Sequence, residues 1–272
     1  MMLSSVRHHL SVAAAFARLE ILAQLEYPIF LISWLVINPL HYFGGIWMLK
    51  VLVDSFQPIG GWTFAQVCFL YGLGMLSHGL MVLLFIQTWS IDQFVVQGDF
   101  DRLLLRPLDV FFQFCVARIN FIGLTDLIPG IAIFAYGCRQ VHFAWTLSST
   151  AQMALVVAGA VLIRAALYTA CGSIAFWTKR SGPLVGLNLA LLERTTLYPL
   201  TIYPHALQVM LTFLIPVGFI SFYPACDFVG QDARSALPLD VALWTPVVGA
   251  TFFALAHGVF RWGLRCYESA GS

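Results

Sequence analysis

From Ser55 to Ile91 the chain carries no Asp, Glu, Lys or Arg. A helix needs about 20 residues to cross the hydrocarbon core of a bilayer, so this run alone has room for one span and its flanks. Five further apolar stretches of spanning length accompany it. Hydrophobic residues make up 60% of the 272 and charged residues 10%, where a soluble domain carries about 25% charged residues. The fold class is therefore all-α, a polytopic membrane protein.

Apolar runs and their charged punctuation predict six spans, each with boundaries good to a few residues: Tyr27 to Leu49 (ended by Lys50), Trp62 to Trp89, Ile119 to Cys138, Ser149 to Trp177, a fifth within the charge-free stretch Thr195 to Cys226, and Val241 to Phe260. With both termini cytoplasmic, Arg7, Arg18, Arg102, Arg106, Arg118, Lys179, Arg180, Arg194, Arg261 and Arg265 collect on the inner side. Lys50, Arg139 and Arg234 fall outside. Short cytoplasmic loops concentrate Lys and Arg in this way. Trp47, Trp62, Trp145 and Trp244 lie near outer ends, and Trp89, Trp177 and Trp262 near inner ends. That placement reads as an aromatic belt on each face.

Residues 1–20 read as an interfacial helix, with Val6, Leu10, Ala13, Ala14, Ala17 and Ile21 at helical spacing. The adjacent His8 and His9 point about 100° apart on a helix, so a metal site there is disfavoured. The six cysteines stand singly, without a metal-binding spacing, and read as small buried side chains. The balance of 14 basic to 13 acidic residues gives no sign of nucleic-acid binding.

No polar segment is long enough to form a soluble domain. A phosphate-binding P-loop needs Gly-Lys followed by Ser or Thr. The only lysines are Lys50, followed by Val51, and Lys179, followed by Arg180. The chain is not expected to hydrolyse ATP, and it needs no cofactor of its own.

The most informative polar segment spans residues 90–108, on the inner side between the second and third spans. Gly98 interrupts it and Pro107 stops whatever helix follows, with Asp99 or Asp101 as candidate caps. Charges mixed with Phe94, Phe100 and three leucines make it more apolar than a solvated loop requires. Such a segment lies on the membrane surface or docks into a partner.

Intramembrane charges are costly and mark function by default. Glu26 lies near the inner end of the first span, within reach of the interface. Asp126 and Arg164 fall well inside the third and fourth spans, and a structural pair between them is the expected arrangement, with substrate contact by Arg164 as the alternative. Span five holds Pro199, Pro204, Pro216 and Pro224. Tyr198 to Pro204 should separate a short interfacial helix, Pro183 to Arg194, from the span proper, and Pro216 should kink its middle. Residues 225–240 form an extracytoplasmic segment.

The run from Gly98 to Leu108, Gly-Asp-Phe-Asp-Arg-Leu-Leu-Leu-Arg-Pro-Leu, resembles the signature of a permease family among the type-2 ABC exporters. The ending Trp262-Gly263-Leu264-Arg265-Cys266-Tyr267-Glu268-Ser269-Ala270-Gly271 is similar to that family's closing motif. Phe176-Trp177, Tyr198 to Pro204, Ile215-Pro216 and Phe222-Tyr223-Pro224 also match family features in order. The resemblance implies one permease domain over residues 1–272, in the bacterial cytoplasmic (inner) membrane. Its partners would be a second permease, inclined to be a different chain, and two cytoplasmic ATPase subunits that bind ATP and magnesium. The loop at 91–106 would be the coupling helix seated in an ATPase cleft. Carried over by position, Asp92, Gly98, Asp101, Arg102 and Arg106 would form its polar part, and Phe94, Phe100 and Leu104 its apolar anchors. A short re-entrant helix would close the outer end of the pathway.

Two other classes compete. An ion-coupled secondary transporter would use Asp126, yet it wants inverted repeats and several buried carboxylates, and no repeat is visible. A membrane-embedded enzyme wants converging polar groups, whereas His41, His78, His205 and His257 are scattered over different spans.

Overall fold

Residues 28–56, 61–116, 120–230 and 244–268 are described by the structure, a computed structural model, together with Leu22 and Glu26. The N-terminal helix, the His8–His9 pair and the outer segment beyond Gly230 lie outside the described residues. Every regular element is helical: α1 Pro28–Phe56, α2 Phe64–Phe85, α3 Ile91–Gln97, α4 Asp99–Leu104, α5 Val110–Val116, α6 Gly123–Gln140, α7 Leu147–Ser173, α8 Ala175–Thr178, α9 Gly182–Leu197, α10 His205–Val209, α11 Phe222–Val229 and α12 Thr245–Arg265.

Three helical stretches are long and apolar enough to cross a membrane: Phe64–Gln97, Leu147–Thr178 and Thr245–Arg265. A fourth crossing is available if His205–Leu214 and Val217–Val229, bent by 78° at Ile215-Pro216, act as one broken span. The predicted kink at Pro216 is thus realised as a sharp bend. Helices α1 and α6 are not among these stretches because they carry the polar residues of the interior, Asn38 and His41 on one and Asp126 on the other. Lys50 does not end α1, which continues six residues further to Phe56; a single exposed lysine near a helix end costs little.

Helices α2 and α7 each open with a reciprocal cap. Thr63 Oγ1 accepts from Gln66 N while Gln66 Oε1 accepts from Thr63 N. Thr146 and Ser149 repeat the arrangement. Both sequences supply an N-terminal hydroxyl and a polar third residue, which satisfy backbone donors that have no helical partner.

Packing follows small residues. Gly72 and Gly79 on α2 face Gly123, Gly130 and Gly137 on α6, with the numbering running in opposite directions. A Cβ at Gly137 would lie 2.5 Å from Phe69 N, and one at Gly72 2.5 Å from Phe134 Cα. Both sets repeat every seven residues, so one stripe of each helix meets the other backbone to backbone. On the other side α7 and α12 run parallel, touching where Gly159 meets Thr245 and Gly249. Small residues let membrane helices approach closely enough for dispersion to hold them without a hydrophobic drive.

The aromatic belt needs correction at two positions. Trp62 is 2% exposed and packs on Phe222, and Trp89 turns inward onto His78 and Tyr168. Trp47, Trp145, Trp177, Trp244 and Trp262 do face outward. Helix α1 exposes Ile32, Leu35, Val36, Leu40, Trp47 and Met48, an apolar surface suited to lipid or a neighbouring helix.

Candidate functional site

Two features stand out: a compact platform at residues 91–116 and a polar cavity among α1, α2, α6, α7 and α9.

The platform begins where α2 tightens into a 3-10 turn, Ile86–Ser90, and continues as α3. Gly98 ends α3 with φ +75, a left-handed conformation that glycine adopts at no steric cost. It also opens α4 without a side-chain cap. Neither Asp99 nor Asp101 therefore caps the helix: Asp99 accepts from Arg102 at 2.6 Å, and Asp101 lies beside Tyr267. Burial first, and then the Asp101 carboxylate, push the Tyr267 phenol above its usual pKa.

Phe100 is fully buried, ringed by Phe94, Phe114, Phe176, Phe260 and Tyr267 at centroid distances of 5.3–5.9 Å. The expected partner anchor is thus turned inward, because five aromatic rings of its own chain offer it a dry socket. Phe94 shares that socket and is half-buried. The motifs at 98–108, 176–177 and 262–267, separated by up to 160 residues, meet in this one cluster. Gln113 Nε2 donates to Leu103 O and Leu108 O and folds α5 back beneath the segment.

What remains outward is Leu104 at 48% exposed, Leu105 at 86% and the Arg102 side chain at 79%, with Arg106 also exposed. Leu105 was missed by sequence reasoning; only its place opposite Phe100 and Leu103 on a helical turn could have revealed it. Asp92 is committed within the chain. Its Oδ2 accepts from Gly182 N at 3.0 Å and from Ser181 N at 3.4 Å, at the N-terminus of α9. A carboxylate there satisfies free backbone donors and faces the positive end of the helix dipole.

From that contact α9 runs 16 residues, about 24 Å at 1.5 Å per residue, to Thr196 beside Arg164. The expected interfacial helix is therefore corrected: α9 packs along α2 and α7. A Cβ at Gly74 would collide with Thr196 Cγ2, so the absence of a side chain there lets α9 close against α2.

Asp126 and Arg164 are both buried, at 4% and 3% exposed, but they do not pair. Asp126 Oδ1 accepts from Asn38 Nδ2 at 2.6 Å and Tyr42 OH at 2.9 Å, and His78 Nε2 lies 4.0 Å from Oδ2. Arg164 Nε donates to Ser77 Oγ at 3.0 Å; Nη2 donates to Gly74 O at 3.2 Å and Thr196 Oγ1 at 2.9 Å. The two charges sit in the walls of adjoining cavities of about 330 and 380 Å³ that share His41, Tyr42, His78 and Glu193. Asn38, Tyr42, Ser77, His78 and Thr196 are the residues sequence reasoning left out; each is uncharged at neutral pH and gives no signal in an apolar run. Glu26 is exposed.

An all-helical architecture with long apolar helices, a polar interior cavity and a stiff polar platform at one end defines a membrane transport subunit. The chain belongs to the ABC-2 family transporter proteins, whose family model matches residues 40–271. It is thus a type-2 ABC permease, a multi-pass membrane protein of a family that works with an ABC ATPase. No curated protein matches the chain, and no solved structure does.

Proposed function

We propose that this chain forms the translocation pathway of an ATP-driven exporter in the bacterial cytoplasmic membrane. Six segments cross the bilayer in this reading: α1, α2, α6, α7, the broken pair with α9 leading into it, and α12. Both termini are cytoplasmic, as is the platform. Two ATPase subunits sit beneath, binding ATP and magnesium, and a second permease, a different chain, completes the pathway. The permease itself performs no chemistry.

The observation that carries this reading is the build of the 91–106 segment. Its Phe100 is locked into a six-ring cluster while Leu104, Leu105, Arg102 and Arg106 stand outward on the same short helix and the turn after it. A segment that only rested on the membrane surface would not need such a stiff mount. A lever that must transmit movement does. Asp92 ties that lever to the start of α9, and α9 ends at the cavity, so a displacement of the platform reaches the pathway through one helix.

Affinity purification of the native chain in mild detergent, with vanadate-sensitive ATP hydrolysis as the readout, tests the reading. An ATPase retained by the native chain and lost on Leu105→Asp or Arg102→Glu supports it. A pure single chain, without ATPase in several detergents, overturns it.

A further inference from the structure

Arg164 is a buried cation without a counter-charge. Its acceptors are neutral: the Ser77 and Thr196 hydroxyls, whose own protons go to Gly74 O and Leu192 O, and the Gly74 carbonyl. No carboxylate of a described residue lies within ion-pair distance, and Nη1 makes no hydrogen bond to a described residue. Burying a guanidinium in this way is strongly unfavourable unless something anionic answers it. Arginine presents its N–H groups as a flat fork that matches two oxygens of a carboxylate or phosphate.

The space in front of Arg164 is a cavity of about 330 Å³ between α1, α2, α7 and α9, walled largely by Tyr71, Met75, Leu192, Leu197 and Tyr198. That volume lies within the range of small-molecule sites, which pair an apolar lining with a few fixed polar groups. The ionisable residues facing it are Arg164, Arg194, Glu193, His41 and His78, a surplus of one positive charge with both histidines neutral. On the opposite wall of the adjoining cavity Asp126 is already satisfied by Asn38 and Tyr42, so it does not neutralise Arg164.

We propose that this cavity binds a singly charged oxyanion borne on an apolar body, with Arg164 Nη1 meeting the oxyanion and the aromatic and aliphatic wall taking the body. A carboxylate, a sulfonate and a phosphodiester headgroup share this chemistry. That the bound molecule is cargo rests on the permease reading; that it binds does not.

The full chain in phosphatidylcholine nanodiscs is titrated with dansylundecanoic acid and, separately, with its methyl ester. The expected result is a carboxylate affinity at least about ten-fold above the ester's, the ratio a charge-assisted hydrogen bond supplies. Arg164→Gln abolishes that ratio and Arg164→Lys keeps part of it. Because Arg164 also fastens three helices, Gly45→Phe provides an independent arm. Gly45 lines the cavity on α1, and a side chain there meets nothing within 4 Å, so the ring fills the space without disturbing Arg164 and weakens binding of both probes. Equal affinity for acid and ester in the native chain, or undiminished binding in Gly45→Phe, overturns the proposal. Replacing part of the phosphatidylcholine by phosphatidylglycerol identifies the source: displaced probe assigns the site to a lipid phosphodiester, and undisplaced probe to a soluble amphiphile. No ATPase is present, so failure here is distinct from failure of the coupling reading.

Discussion

Asp92 Oδ2 accepts the backbone N–H of Gly182 at 3.0 Å, joining residues 90 positions apart at the junction of α3 and α9. The bond ties the platform to the helix that ends in the cavity wall. Asp92→Ala should lower stability by about 1 kcal/mol, the usual worth of a carboxylate at a helix start. Asp92→Asn, which keeps an acceptor, should lose less. Thermal unfolding of the purified chain checks the order, and ATP hydrolysis with the partner bound should lose its response to cargo more in Ala than in Asn.

Phe100 and Leu105 should separate folding from docking. Phe100→Ala empties the centre of a ring cluster and should cost about 3–5 kcal/mol, seen as loss of folded protein in detergent gel filtration. Leu105→Asp, at a site 86% exposed, should leave stability within about 0.5 kcal/mol while reducing ATPase retention. Equal loss of folding in both would remove the distinction.

Exchanging the charges, Asp126→Arg with Arg164→Asp, should rescue nothing. Asp126 is held from α1 by Asn38 and Tyr42, and Arg164 from α2 and α9 by Ser77, Gly74 and Thr196. The double variant should unfold no later on heating than the weaker single one.

Across the bend, Thr212 Oγ1 donates to Gln208 O, so the 2.6 Å contact with Tyr223 OH uses the tyrosine proton. Tyr223→Phe and Thr212→Val should each cost about 1 kcal/mol. Their double variant should cost less than the sum, by about the value of the shared bond. Chemical denaturation of the four proteins gives the coupling directly.

Hydropathy made the helical class and the order of the long helices legible, because apolar runs punctuated by Arg and Lys have few other solutions. The Pro216 bend was legible too, since a ring without an N–H interrupts a helix wherever it falls. Depth along a span was readable, but the direction a side chain faces was not. Asp126 and Arg164 have reachable depths and turn to different neighbours. Phe100 looked like an exposed anchor because its five ring partners lie on segments brought near only by folding. The uncharged Ser77, Thr196, Asn38 and Tyr42 carry no mark in sequence that distinguishes them from other polar residues in apolar helices.

The glycine stripe between α2 and α6 has a kinematic consequence. Two backbones in direct contact at every second turn have no side chains to shear past one another, so sliding by less than a full seven-residue step drives Cα into Cα. This pair can only move as one body, a stator. Movement in a transport cycle then falls to α9, held by Asp92 at one end and the Arg164 bonds at the other, and to the 78° elbow beyond it.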